Sequence, residues 1–196
     1  MEILKIKNDN LDEIIKKVST FLKSGGVVVH PTDTCYGIAA DINNEKTIKK
    51  VYDIKKRNYA KPVNIIVKNI EDFKYFGKWS IIIEDILKEE RMHGFIVQKT
   101  KKVPKFLNSK FNNIGIQIPR YSFSQKMLIS ADMPLLATSA NISGEKIVYN
   151  IKDFIRQIKC NNILPDLIID AGELPRNKPS RLLEIVNDNE YNILRN

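Results

Sequence analysis

Gly25-Gly-Val-Val-Val-His30-Pro-Thr-Asp-Thr-Cys35-Tyr-Gly-Ile-Ala-Ala40 is the stretch from which the fold can be read. Two glycines supply a left-handed helix end, and Val27-Val28-Val29 is a short β-branched run suited to a buried strand. Pro31-Thr32-Asp33-Thr34 breaks that strand with turn-forming residues, and Tyr36 to Ala40 reads as a second strand. A helix, a strand, a polar turn and a strand thus follow one another within a few residues.

The same alternation extends outward on both sides. Upstream, Asn10-x-x-Glu13 has capping-box spacing, and Leu11, Ile14, Ile15, Val18, Phe21 and Leu22 recur at helical intervals. Downstream, a helix is expected from about Glu45 to Lys56, with Ile48, Val51 and Tyr52 inward. Further helices are expected near Glu71 to Phe76, Ile81 to Glu90, Phe123 to Ser130 and Ile151 to Ile158. Strands are expected at Val63 to Val67, Phe95 to Lys99, Ile114 to Ile118, Leu135 to Thr138, Leu167 to Asp170, Arg181 to Val186 and Tyr191 to Leu194. Several strand pairs have connections too short for a crossover helix. The expected fold class is therefore α/β (α+β): a mixed, twisted sheet with flanking helices.

Composition narrows the function classes. The 196 residues contain no repeat or Pro/Ser linker, so a single domain over 1–196 is expected. No apolar run approaches the ~18 residues of a membrane span, and Met1 to Lys7 lacks a signal-peptide pattern, so a cytoplasmic protein is expected. Cys35 and Cys160 form no C-x-x-C pair, and both are expected to be packed. The net charge of +9 is concentrated: Glu45 to Lys61 and Lys99 to Lys110 each carry a net +5. Were the fold to bring these segments together, one face would suit phosphate or RNA; solvated lysines are the plain alternative. No P-loop, dinucleotide-binding, hydrolase-elbow or zincin motif is present.

Three segments carry the chemistry. Pro31-Thr32-Asp33-Thr34 puts hydroxyls and a carboxylate on a turn at a strand end. Lys55, Arg57 and Lys61 place three cations at a helix end before a strand, where a polyphosphate could be held. Ser139-Ala140-Asn141 offers small hydroxyl and amide groups where another strand becomes a loop. Singly, each is equally readable as an ordinary turn, a solvated helix end or a helix approach.

In combination and order, these segments closely resemble the YrdC-type threonylcarbamoyl-adenylate synthases in their short, single-domain form. P-T-[DE]-T-x-Y-G matches Pro31 to Gly37, K-x-R matches Lys55 and Arg57, and S-x-N matches Ser139 and Asn141. Asp170-Ala171-Gly172, Pro179-Ser180 and the closing Ile193-Leu194-Arg195 extend the likeness. The resemblance implies a basic concave ligand cavity. It also implies a nucleotidyltransferase that joins L-threonine, bicarbonate and ATP into threonylcarbamoyl-AMP and pyrophosphate. The product would serve the threonylcarbamoyladenosine modification at tRNA position 37, through tRNA or the tRNA-modification proteins that receive it. Lys55, Arg57, Lys61, Ser139, Asn141 and Arg195 would hold ATP, with Lys55, Arg57, Ser139 and Asn141 the catalytic group. Thr32, Thr34, Gln117, Ser180 and Arg181 would line the threonine pocket. Mg²⁺ would arrive with the ATP phosphates, without protein ligands or an organic cofactor.

The chain departs from the family pattern on the threonine side. Gln117 stands where the V-x-V-R-x-P strand has arginine, Met92 to Val97 replaces W-P-G-P-x-T, and Ile66 replaces a histidine. Arg181 is the expected substitute for the missing charge, with Arg120 as the alternative. Two other functions compete. One is a YrdC-fold paralogue with an altered or lost amino-acid substrate. The other is a double-stranded RNA or tRNA-binding module without catalysis, which would show salt-sensitive RNA affinity and no ATP turnover.

Overall fold

The computed structural model describes residues 1–7 and 9–196. The elements are β1 (Glu2–Lys5), α1 (Leu11–Lys23), β2 (Val28–Pro31), β3 (Tyr36–Asp41), α2 (Glu45–Lys55), β4 (Asn64–Ile66), α3 (Ile70–Phe76) and α4 (Ile81–Ile86). They continue with β5 (His93–Gln98), β6 (Asn113–Gln117), α5 (Ser122–Ala131), β7 (Leu135–Ser139), α6 (Ile151–Ile158), β8 (Leu167–Asp170), β9 (Arg181–Asn187) and β10 (Glu190–Arg195). Among the described residues, all ten strands join one sheet in the order β1-β8-β2-β3-β7-β4-β6-β5-β9-β10. Pairs such as β2/β8, β4/β6 and β5/β9 are parallel, while β2/β3, β3/β7 and β5/β6 are antiparallel. The mixed sheet expected from the sequence is the one observed.

The two sheet faces are covered unequally. On one face Val29, Ile38, Ile65, Phe95 and Ile116 pack against α2, α3, α4 and α6 through Val51, Phe73, Ile83 and Phe154. Fully burying a side chain such as Phe154 contributes about 1.5–3 kcal/mol. On the other face α1 and α5 cover Val28, Ala39, Leu135, Ile66 and Leu167. Paired residues share a face, so this second face continues through Gly37, Ala137, Ser139, Asn64, Gly115, Gln117, Gly94 and Leu182. There no helix layer follows: Asn64 is exposed although β4 lies inside the sheet. The result is an open floor of small and polar residues.

Some local expectations give way. Asn10 does cap α1 in position, but its side chain accepts from Lys7 N (2.8 Å) and donates to Lys5 O, so no capping box forms. The reason is β1, a strand too short to read from the sequence, which pairs with β8 and draws the Asn10 amide toward it. α4 stops at Ile86, well before Glu90. Cys35 is half-buried, but Cys160 is exposed just after α6.

The α1 terminus behaves as read. Gly26 N donates to Phe21 O (2.7 Å) and Gly25 N to Leu22 O (3.0 Å), with Gly25 at φ +80°. This is a Schellman closure, and Gly25 O then accepts from Thr47 Oγ1, tying α1 to α2. Gly25→Ala should cost about 1–2 kcal/mol, the penalty of a left-handed L-residue, read as a lower urea midpoint at unchanged slope. A midpoint equal to wild type would show that this turn tolerates a side chain.

Candidate active site on the uncovered sheet face

The rim at the β7 end is built around one buried cation. Lys55, the last residue of α2, is 2% exposed and sends its ammonium across the end of β7. Nζ donates to Ser139 O, to Asn141 O at 2.8 Å and to Asn141 Oδ1 at 3.3 Å, so all three protons are used. The Lys55 carbonyl in turn accepts from Ser143 N (2.7 Å). Ser139 Oγ lies 2.5 Å from Asn141 Oδ1, while Asn141 Nδ2 donates to Ile142 O and Glu145 O. Gln157 of α6 braces the loop by accepting from Ile142 N at 3.0 Å. Burial, and then the neighbouring Arg57 guanidinium, pull the Lys55 pKa down to about 7.

The Pro-Thr-Asp-Thr segment forms a wired turn beside this rim. Thr32 Oγ1 donates to Cys35 O at 2.6 Å and accepts from Thr34 N (3.1 Å) and Cys35 N (3.2 Å). Thr34 Oγ1 sits 3.2 Å from Thr32 Oγ1. Burial holds the Asp33 carboxyl and the Cys35 thiol above their ordinary pKa values. His30 is buried against Phe123, and burial lowers its pKa to about 4, so it is neutral. Tyr36, part of the matched signature but given no role by the sequence reading, anchors the turn to the far side: its hydroxyl donates to Gly172 O and accepts from Ala171 N, both at 2.8 Å. The Tyr36-Gly37 signature and Asp170-Ala171-Gly172 are thus one structural unit.

The opposite rim comes from β6, β9 and β10. Gln117 Nε2 donates to Ser180 Oγ at 3.4 Å, and Arg195 Nε donates to Ser180 O at 3.0 Å. Arg195 stands opposite Leu182, on the floor side of the sheet. Arg181 does not join them. It pairs with His93 and precedes Leu183, whose side chain packs in the α2/α3/α4 layer, so strand alternation turns Arg181 to that other face. There its Nη1 lies 3.7 Å from Glu89 Oε2. Arg120 is also occupied, donating to the carbonyls of Leu87, Glu89 and Glu90. The cation that shares Ser180 with Gln117 is therefore Arg195.

Arg57 and Lys61 lie outside the Lys55 cluster. Arg57 Nη2 donates to Pro62 O (2.8 Å), and Lys61 is exposed beside Tyr52 and Phe106. The two basic segments do come together, but around the outer side of α2, across the sheet from the floor. Among the described residues, no cluster of three His, Cys, Asp or Glu side chains is arranged to hold a metal ion. No described helix is long and apolar enough to cross a membrane.

The sequence profile of the Sua5_yciO_yrdC family, described as telomere recombination, matches residues 20–196. The chain belongs to this family. A Methanocaldococcus jannaschii relative named "Putative threonylcarbamoyl-AMP synthase" is 32% identical over 95% of this chain and 89% of its own. The threonylcarbamoyl-AMP synthase of Psychromonas ingrahamii is 24% identical over 92% of this chain and 94% of its own. A crystal structure of Pyrococcus abyssi Sua5 complexed with L-threonine superposes with a TM-score of 0.82 at 20% identity, covering 99% of this chain and 56% of that one. That likeness establishes the family fold, including the mixed sheet described above.

Lys55 gives this family member a titration signature. A phosphate anion beside it favours the charged ammonium, so its pKa of about 7 rises and a proton is taken up on binding. At about pH 8, calorimetry in buffers of different ionisation enthalpy should record net proton uptake when ATP binds. Lys55→Met should remove that uptake; equal uptake by both proteins would place ATP away from this rim.

Proposed function

We propose that this protein is an L-threonylcarbamoyladenylate synthase, a nucleotidyltransferase using ATP and L-threonine. The observation that carries this reading is the Lys55–Ser139–Asn141 rim facing Gln117, Ser180 and Arg195 across an uncovered, small-residue floor. Lys55 holds the 139–145 loop in place through Ser139 and Asn141, and Arg57 adds charge from the adjoining chain. ATP would lie along this rim, and Lys61, exposed on the outer side of α2, would stand apart from it. Threonine would lie on the floor near Thr32 and Thr34, with its carboxylate toward Gln117, Ser180 and Arg195. Gly37, Ala137, Gly115 and Gly94 leave room for it, since larger side chains would fill the floor.

The chemistry needs positioning more than covalent help. The threonine amine and bicarbonate give a carbamate and water. A carbamate oxygen then attacks the ATP α-phosphorus, and pyrophosphate leaves. Holding the two reactants in line and neutralising the phosphates are together sufficient for a large acceleration. Neither Cys35 nor Thr32 is an activated nucleophile: burial keeps the Cys35 thiol protonated, and Thr32 Oγ1 is committed to its turn. Mg²⁺ would be held by the nucleotide phosphates and share their charge. Single-domain organisation, a cytoplasmic location and delivery of the product to tRNA-modification proteins complete the proposal.

Pyrophosphate release should require ATP, L-threonine, bicarbonate and a divalent ion together. Release of ADP, or turnover indifferent to threonine, would overturn the assignment. Arg195 also predicts a contrast. Losing a charged hydrogen bond costs about 1.5–3 kcal/mol, so Arg195→Ala should raise the threonine KM roughly tenfold or more, whereas Arg181→Ala should change it little. The reverse order in a threonine titration would move the carboxylate to Arg181.

A further inference from the structure

The middle of the uncovered floor carries one side chain that neither rim uses. Asn64 opens β4, a strand with neighbours on both sides, yet it is exposed, and its amide has no hydrogen-bond partner among the described residues. Its row across the sheet reads Ala137, Asn64, Gly115 and Ile96. A Cβ added to Gly115 would stand 2.1 Å from Asn64 Oδ1 and 3.1 Å from Ile96 Cδ1, so the amide lies over Gly115 beside the isoleucine. Gly115 is mid-strand, where the backbone accepts any residue. The amide, rather than a turn, is what requires the glycine.

Ser139 lies two residues along β7 from Ala137, and Gln117 two residues along β6 from Gly115, toward the opposite end of the sheet. With strands about 4.8 Å apart and a rise of about 3.3 Å per residue, the backbone of each is roughly 8 Å from that of Asn64. The two rims thus flank this one amide. Ala137 and Gly115, beside it in the row, offer no polar side-chain atom. Glu184, farther along the row, is engaged by Asn192 Nδ2 at 3.3 Å.

Under the synthase reading, on which this inference rests, an amino acid between the rims turns its carboxylate to Gln117, Ser180 and Arg195. Its nitrogen faces the ATP phosphates at the Ser139 rim. The side chain is then left to point to the floor or to solvent. We propose that it points to the floor, and that Asn64 is the specificity-determining residue that hydrogen-bonds its β-hydroxyl. A neutral amide suits a neutral hydroxyl, since Oδ1 can accept from it and Nδ2 can donate to it. Ile96 supplies an apolar neighbour for the methyl group. An analogue with methyl in place of hydroxyl would cover the amide and leave it unpaired, which is the basis of its rejection.

The test is calorimetric titration without ATP, using two pairs of amino acids in which methyl replaces hydroxyl: L-threonine with L-valine, and L-serine with L-2-aminobutyrate. Wild type should bind the hydroxyl member of each pair about tenfold tighter or more. Asn64→Leu, similar in size but unable to hydrogen-bond, should remove both preferences. Gly115→Ala, which keeps Asn64 but displaces its amide, should shrink both. ATP binding should be unchanged in the two variants, which also shows that they are folded. Preferences that survive Asn64→Leu would overturn the proposal, as would a wild type indifferent to the hydroxyl. So would loss of all amino-acid binding in Asn64→Leu, with or without ATP binding, because Asn64 would then shape the floor instead of reading the hydroxyl. Asn64-dependent selectivity in a protein that releases no pyrophosphate from ATP would uphold this site and overturn the synthase assignment.

Discussion

Half of one sheet face has no helix over it, and the rest of the architecture follows from that incomplete layer. α1 and α5 cover β8, β2, β3 and the start of β7, then stop. Beyond them the strands must present residues that tolerate water: Asn64, Ser139, Gln117, and glycines and alanines between. The opposite face bears four helices and the larger core, which supplies the rigidity that the open floor lacks. A floor held by covered strands can keep polar groups fixed without having to bury them.

The buried Lys55 ammonium is the main cost of this arrangement. Removing an ammonium from water is expensive unless every proton finds an acceptor, and here three oxygens of the 139–141 loop provide them. The same contacts lock the loop, so burial of the cation and shaping of the rim are one event. Tyr36 plays a comparable part on the other side, where its hydroxyl bridges the turn after β2 to the chain after β8. Lys49, Lys56 and Lys110 lie outside these networks and line the hollows on the outer side of α2.

Much of this was legible in the sequence. The Gly25-Gly26 stop, the β-branched Val27–Val29 run and the helical spacing of Ile48, Val51 and Tyr52 reflect local conformational preferences, and each appears, with the strand shifted to Val28–Pro31. The motif pairs Lys55/Arg57 and Ser139/Asn141 were also visible, because chemistry requires those residue types close together in the chain. β1 was not legible, since four residues acquire strand geometry only by pairing with β8. Nor was Asn64, although an amide inside an otherwise apolar strand is a usable sign of an uncovered face.

The sequence by itself therefore determined the element order from α1 onward, the mixed sheet and the identity of the candidate ligand-binding segments. Only the tertiary structure decided which of their side chains meet. Strand alternation turns Arg181 toward Glu89 and leaves Arg195, brought in by the β9–β10 pairing, beside Ser180 and Gln117. Packing of α2 on the far face likewise separates Lys61 from Lys55, six residues earlier in the chain. Local propensity fixes the course of the backbone, but a side chain's face depends on pairing register and layer coverage, and both are long-range properties.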